Sequence, residues 1–189
     1  MFSLIKELLV NPVEYKQFSG RERDIERGKM YELYAKSSRE ILIVAGELDP
    51  KFYNKLFADI VSAKLKKFPD FTVKILFSKD EDLGLREKIE KFHEENPELY
   101  ELLKEGAFGC RFSVFLSDKR QENHFGIADN SILIEKVHKP RDPRDVLLVE
   151  NYKALVENYK RYFDKLINDC ESTIFPLTSD SFKDKDSAA

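Results

Sequence analysis

Residues 122–129 of this 189-residue chain form the segment Glu-Asn-His-Phe-Gly-Ile-Ala-Asp, and Asn130 and Ser131 follow it directly. The apolar part of the segment fits a short β-strand, and the Asp-Asn-Ser sequence at its end is typical of a tight turn. A second apolar run, residues 132–137, comes directly after that turn. The segment therefore predicts a β-hairpin whose first strand, residues 124–128, begins with an imidazole.

A second feature lies earlier in the chain, where two apolar strands flank a helix. Residues 41–45 form a continuous apolar run rich in β-branched side chains, and residues 71–77 form the next such strand. Between them, Asp49 and Pro50 suit the start of a helix with an apolar stripe that continues to about Lys67. A strand, a helix and a strand at this spacing predict a βαβ unit with parallel strands.

The remaining patterns predict further helices and strands around this unit. Apolar residues at helical spacing predict helices over 21–37, 84–104 (interrupted at Asn96-Pro97) and 151–168. Short apolar or alternating runs predict strands over 110–116 and 146–149. Because a parallel unit and a hairpin occur together, the predicted fold class is α/β, with a mixed, partly parallel sheet flanked by helices.

Length and composition favour one folded domain. The chain is 42% hydrophobic and contains 15 Phe, which is ample for a core. The sequence shows no internal repeat and no low-complexity linker. We therefore expect an N-terminal helix and linker over residues 1–20, a single α/β domain over 21–170, and a polar, disordered tail over 171–189.

Charge, hydropathy and cysteine content exclude several classes of protein. The net charge of −3 gives no overall basic field of the kind that favours nucleic acid. Apolar runs are all shorter than the roughly 20 residues that span a bilayer, and residues 1–10 lack a signal-peptide cleavage site. Cys110 and Cys170 form no disulfide framework. We expect a cytoplasmic protein without a membrane span, and the abundant Lys and Glu are typical of a heat-adapted source.

The 122–131 segment resembles a half-site of the phospholipase D-like superfamily. In that motif a strand carries His-x-Lys, and an Asp follows after four more residues, just before a turn. Residues two apart on a strand share a face, so the His attacks phosphorus while the Lys neutralises phosphate oxygens. With Asp129 as the acid, His124 stands in the place of the lysine and Glu122 in the place of the nucleophilic histidine.

The resemblance covers roughly residues 21–168. It includes the first helix and strand, the strand at 146–150 and the long closing helix. It implies a phospholipase D-like fold and a homodimer, because two half-sites of this family meet to form one site. It also implies catalytic positions at Glu122, His124 and Asp129 and ligand-binding positions at Asn130, Ser131 and Asn151.

Two of the three defining residues of the motif differ in this chain. A carboxylate at position 122 does not accept a phosphoryl group as an imidazole does, and it repels phosphate. Histidine, unlike lysine, is charged only part of the time near neutral pH. The resemblance therefore implies a catalytically degenerate module that acts in ligand binding, regulation or assembly.

Two alternatives remain open from the sequence. If His124 is itself the nucleophile, Gly126 stands where the lysine belongs, and the cation has to come from Lys119, Arg120 or another chain. In that case the chain is an active phosphodiesterase or nuclease that uses His124 with Glu122 and Asp129, with or without a metal. In the other alternative the chain is an unrelated structural or interaction protein, and the similarity is superficial.

The sequence predicts no cofactor and no metal. His93 and His138 lie in charged segments, and the three histidines of the chain are not closely paired, so no zinc site is expected. The chain also lacks a Gly-rich phosphate loop and the GxSxG and HExxH motifs. The expected partners are a second copy of the chain and a ligand that is either a phosphate-containing molecule or a nucleic acid.

Overall fold

A computed structural model describes residues 14–18, 23–46, 48–78, 85–104, 108–117, 119, 121, 123–136, 145–170 and 172–175. Eight strands within these ranges form one sheet: β1 (Glu14–Phe18), β2 (Glu40–Ala45), β3 (Thr72–Phe77), β4 (Phe112–Leu116), β5 (Asn123–Ala128), β6 (Ser131–Lys136), β7 (Asp145–Glu150) and β8 (Ser172–Phe175). The helices of the same ranges are α1 (Arg23–Lys36), α2 (Lys55–Lys67), α3 (Leu85–Glu95), α4 (Pro97–Lys104) and α5 (Lys153–Asn168), with a 3₁₀ turn at Gly109–Arg111.

The sheet is mixed, as the sequence predicted. Its strand order is β1-β7-β6-β5-β2-β3-β4-β8. Strands β2, β3 and β4 are parallel neighbours, whereas every other neighbouring pair is antiparallel. Strand β2 is the junction, because it pairs in parallel with β3 on one side and antiparallel with β5 on the other.

Strand β2 is buried on both faces, which explains its continuous apolar sequence. Ile41 and Ile43 belong to a core cluster shared with α1 to α4, and Leu42 and Val44 belong to a second cluster shared with α5. Alternate side chains of a strand point to opposite faces of the sheet. The protein is therefore layered, with four helices on one face and the long α5 on the other. No helix in the described ranges is both long enough and apolar enough to cross a bilayer.

The boundaries of α2 and α3 show how local signals act. Asn54 caps α2, since its side-chain oxygen accepts hydrogen bonds from the backbone nitrogens of Leu56 (2.9 Å) and Phe57 (3.4 Å). The predicted start at Asp49 is a separate turn, in which the Asp49 carboxylate accepts from the Lys51 nitrogen at 2.9 Å. The predicted interruption at Asn96-Pro97 is confirmed, because α3 ends at Glu95 and α4 begins at Pro97.

Both edge strands differ from the sequence-based boundaries. Residues 14–18, which we assigned to a linker, pair antiparallel with β7 from Glu14↔Glu150 to Phe18↔Val146. Residues 172–175, which we assigned to a disordered tail, pair with β4. Both segments are short and form hydrogen bonds with strands that are distant in sequence, so a local sequence pattern does not reveal them. The predicted N-terminal helix lies outside the described residues.

Candidate functional site

His124 lies at the start of β5, beside the carboxyl ends of β2, β3 and β4, and we call this the His124 end of the sheet. Its ring packs on Gly46, where an added Cβ would lie 2.7 Å from both Cε1 and Nε2. Nδ1 is 3.3 Å from Oε2 of Glu135, and Nε2 is 3.1 Å from the backbone oxygen of Gln121. The side chain is only 15% exposed. The imidazole is thus held on three sides.

Both neighbours of the His124 ring are hydrogen-bond acceptors. Nδ1 faces a carboxylate oxygen of Glu135, and Nε2 faces the backbone oxygen of Gln121. A histidine that attacks phosphorus needs an unprotonated nitrogen directed at the substrate. In this structure both nitrogens are directed at protein groups instead.

Gln121 fixes the loop that precedes β5. It is buried, and its side-chain amide donates to the hydroxyl oxygen of Ser117 and to the backbone oxygen of Lys119, both at 2.9 Å. Its backbone nitrogen donates to the hydroxyl of Ser78 at 3.3 Å. The backbone carbonyl that faces His124 therefore belongs to a residue that is held by three hydrogen bonds.

Gly126 occupies the position two residues after His124, on the same face of β5. A Cβ added to Gly126 would clash with the hydroxyl oxygen of Tyr34 and would lie 3.2 Å from its Cζ. Tyr34 comes from α1 and is almost fully buried. The space in which a side chain at position 126 would stand is therefore filled by a tyrosine.

Two buried tyrosines and two carboxylates surround this part of the site. Burial raises the pKa of Tyr34. The pKa of Tyr53 is raised well above its usual value by burial first, and then by the nearby Tyr34, Glu135 and Asp49. Both hydroxyls consequently stay protonated, and the surroundings of His124 contain acidic groups that oppose the entry of an anion.

Asp129 lies at the opposite end of β5, where it joins the β5–β6 turn to the start of β2. Its carboxylate accepts hydrogen bonds from the backbone nitrogens of Ser38 (2.8 Å), Arg39 (2.9 Å) and Glu40 (3.1 Å), and from the Ser38 hydroxyl (3.1 Å). Burial disfavours the charged form, but these four bonds outweigh it and lower the pKa of Asp129. Its φ of 53° is the left-handed conformation that Asp tolerates better than most residues.

The other ligand-binding candidates lie at this same end, which we call the Asp129 end. Asn130 accepts a hydrogen bond from the Arg39 guanidinium at 2.9 Å. Ile132 on β6 pairs with Val149 on β7. The preceding residue, Ser131, therefore lies close to the end of β7, and Asn151 follows that end with a φ of 60°. Asp129 lies five residue steps along the chain from His124, a distance of about 17 Å.

The structure therefore divides the predicted site. It gathers Asp129, Asn130, Ser131 and Asn151 at one end of the sheet and leaves His124 at the other, while Glu122 lies outside the described residues. Among the described residues, no group of three or more His, Cys, Asp or Glu side chains is arranged to hold a metal.

Sequence reasoning missed three groups around His124, namely Glu135, Gln121 and Tyr34. One of them, Glu135, could have been found from the register of the predicted hairpin. With Ala128 opposite Ser131, counting back along the strands places His124 opposite Glu135, as observed. The other two had no local signal, since Tyr34 comes from a helix 90 residues earlier in the numbering and Gln121 contributes only a backbone oxygen.

Comparison with known proteins gives structural relatives only. No family model and no curated protein sequence matches the chain. TrmBL2, an archaeal chromatin protein described as having a novel mode of DNA binding, superposes with a TM-score of 0.57 at 15% identity, over 90% of this chain and 58% of that one. The chain thus spans little more than half the length of TrmBL2.

Two proteins that the chain covers almost completely also superpose. Nuc from Salmonella typhimurium, a phospholipase D family member, gives a TM-score of 0.59 at 11% identity, over 85% of this chain and 97% of that one. NucT from Helicobacter pylori gives 0.54 at 8% identity, over 84% and 98%. The chain has a phospholipase D-like fold, as its sequence predicted. At these identities the likeness shows the fold alone.

Replacement of Asp129 by Ala should lower the free energy of unfolding at pH 7 by about 2 kcal/mol or more, because charge-assisted hydrogen bonds to three backbone amides are lost. Since the folded state lowers the pKa of Asp129, its stabilising effect is present above the unfolded value of about 3.9 and disappears as the pH falls through the folded value. Urea unfolding at pH 7 and pH 3 measures this, with Asn130→Ala as the control. An equal deficit at both pH values would contradict the assignment.

Replacement of Gly126 by Ala should destabilise the protein by about 1–3 kcal/mol through the clash with the Tyr34 hydroxyl. In a Tyr34→Phe background that cost should shrink, because the clashing oxygen is gone and the nearest remaining contact is a ring carbon at 3.2 Å. A double-mutant cycle in denaturant measures the coupling, which should reach about 1 kcal/mol. Strictly additive costs would show that Tyr34 does not fill this space.

Proposed function

We propose that this chain is a catalytically degenerate phospholipase D-like module that acts as a ligand-binding, regulatory or assembly domain and works as a homodimer. The observation that carries the proposal is the contact between Gly126 and the Tyr34 hydroxyl. Together with the engaged nitrogens of His124, it supports the absence of the paired imidazole and cation that a phospholipase D-type reaction uses.

Either alignment of the motif leaves one of the two groups missing. If His124 takes the lysine position, the nucleophile position holds the carboxylate of Glu122. If His124 is the nucleophile, the lysine position holds Gly126, and the buried Tyr34 leaves no room there for a side chain. The first alignment lacks the nucleophile, and the second lacks the cation that stabilises a developing phosphoryl charge, so both alignments favour loss of the reaction.

Charge around His124 supports the same conclusion. The Glu135 carboxylate is adjacent to the ring, and Asp49 is close enough to Tyr53 to influence its pKa. A phosphodiester brings its own negative charge into these surroundings. The ligand-binding role that we propose therefore does not rely on a phosphate seated on His124 in the manner of a covalent intermediate.

Homodimer formation follows from the resemblance rather than from the described contacts. The chain contains one motif segment, and its length is close to that of Nuc and NucT, of which it covers 97% and 98%. A fold that builds its site from two halves needs a second copy to complete it. The DNA binding described for TrmBL2 makes nucleic acid the first ligand class to test.

One observation favours the alternative of an active phosphodiesterase or nuclease. An imidazole that is oriented by a neighbouring carboxylate, as His124 is by Glu135 at 3.3 Å, is the arrangement that activates many nucleophiles. This alternative requires that Nε2 leave the Gln121 carbonyl and that a cation come from Lys119, Arg120 or a second chain.

Assays with bis(p-nitrophenyl) phosphate and single-stranded DNA, with and without EDTA, separate the two proposals. We expect the wild-type protein to show no turnover above that of His124→Ala. Asn123→Ala is the matched control, because Asn123 is the exposed neighbour of His124 on β5. Turnover that survives in Asn123→Ala and vanishes in His124→Ala would establish the active enzyme. Sedimentation velocity on the same samples reports whether the chain is a dimer.

A further inference from the structure

A cleft between α3 and α4 lies outside the site built around His124. Its volume is about 420 Å³, and it is lined by Arg86, Ile89, Glu90 and His93 of α3 and by Tyr100 of α4. This volume falls in the range of about 300–1,000 Å³ that is typical of small-molecule sites. No part of the proposed function uses these residues.

One end of the cleft is aromatic. The rings of His93 and Tyr100 lie with their centroids 4.2 Å apart and their planes inclined by 30°. Ile89, which is almost fully buried, adds an apolar surface next to them. Flat aromatic faces beside an apolar surface suit the stacking of a planar heterocycle.

The other end of the cleft carries a guanidinium group. Arg86 lies two turns before His93 on α3, about 10 Å along the helix axis. Its Nε donates to Oε1 of Glu90 at 3.0 Å, which orients the planar group. The Arg86 side chain is 74% exposed, so a ligand in the cleft can reach its guanidinium group.

We propose that this cleft binds a nucleotide unit, with the base stacked on the His93–Tyr100 pair and the phosphate bound by Arg86. Arginine suits phosphate because its terminal N–H groups form two parallel hydrogen bonds to the phosphate oxygens. The second oxygen of Glu90 is an acceptor for the amino group of a base. A ligand that has only a planar ring contacts only the aromatic end of the cleft, and a ligand that has only an anionic group contacts only Arg86. The same chemistry recognises a free nucleotide and a nucleotide within a single strand.

Calorimetric titration of the full chain tests this assignment, with AMP, adenosine, inorganic phosphate and a short single-stranded oligonucleotide as probes. AMP should bind at least tenfold more tightly than adenosine or phosphate alone. Arg86→Gln should weaken AMP at least tenfold and leave adenosine unchanged. Tyr100→Leu and His93→Ala, checked for folding by circular dichroism, should each weaken both AMP and adenosine. Two independent aromatic variants keep the test valid if one fails to fold.

Lys104→Gln, which removes a positive charge from the far end of α4, is the matched control, and it should leave AMP binding unchanged. If the oligonucleotide binds with the same dependence on Arg86 and AMP does not, the site takes a strand rather than a free nucleotide. Absence of binding by both AMP and the oligonucleotide overturns the proposal. An equal loss in Lys104→Gln and Arg86→Gln does so as well. His124→Ala should not affect the titration, which separates this site from the proposed function.

Discussion

The hydrogen bonds of the Asp129 carboxylate hold the two halves of the sheet together. Four donors of Ser38, Arg39 and Glu40 converge on this one side chain, which closes the β5–β6 turn against the start of β2. Strand β2 is the junction between the parallel and antiparallel halves, and its pairing with β5 begins beside Asp129, at Ile41↔Ala128. That register runs on to Val44↔Phe125, so it also determines that His124 packs on Gly46 at the other end.

The two motif residues Asp129 and His124 lie at opposite ends of β5 and make different kinds of contact. Asp129 joins the β5–β6 turn to the start of β2, and it lies about 17 Å from His124. At the other end of β5, Tyr34 fills the space at Gly126, and both nitrogens of His124 face protein acceptors. The loss of the reaction that we propose is compatible with an intact fold, because Asp129 and the groups around His124 lie at opposite ends of the strand.

Most of the fold was predicted from patterns among residues that are close in sequence. The apolar run of β2, the strand–helix–strand spacing and the Pro97 interruption each depend on neighbours in sequence, and all were confirmed. Strands β1 and β8 were missed because their partners are distant. At the site, the pairing of His124 with Glu135 could have been derived from the register of the predicted hairpin, but it was missed. The contact of Tyr34 with Gly126 joins residues 92 positions apart, as the numbering shows, and appears only after folding.

The function that we propose requires that His124 does not act as a nucleophile toward phosphorus. Intact-protein mass spectrometry tests it directly, after incubation with an activated phosphodiester and a denaturing quench at alkaline pH, where a phosphohistidine survives. We expect the chain to keep its unmodified mass, because both ring nitrogens are engaged and Gly126, two residues away, supplies no cation. A covalent phosphoryl adduct that maps to His124, and that is absent from His124→Ala, would contradict it.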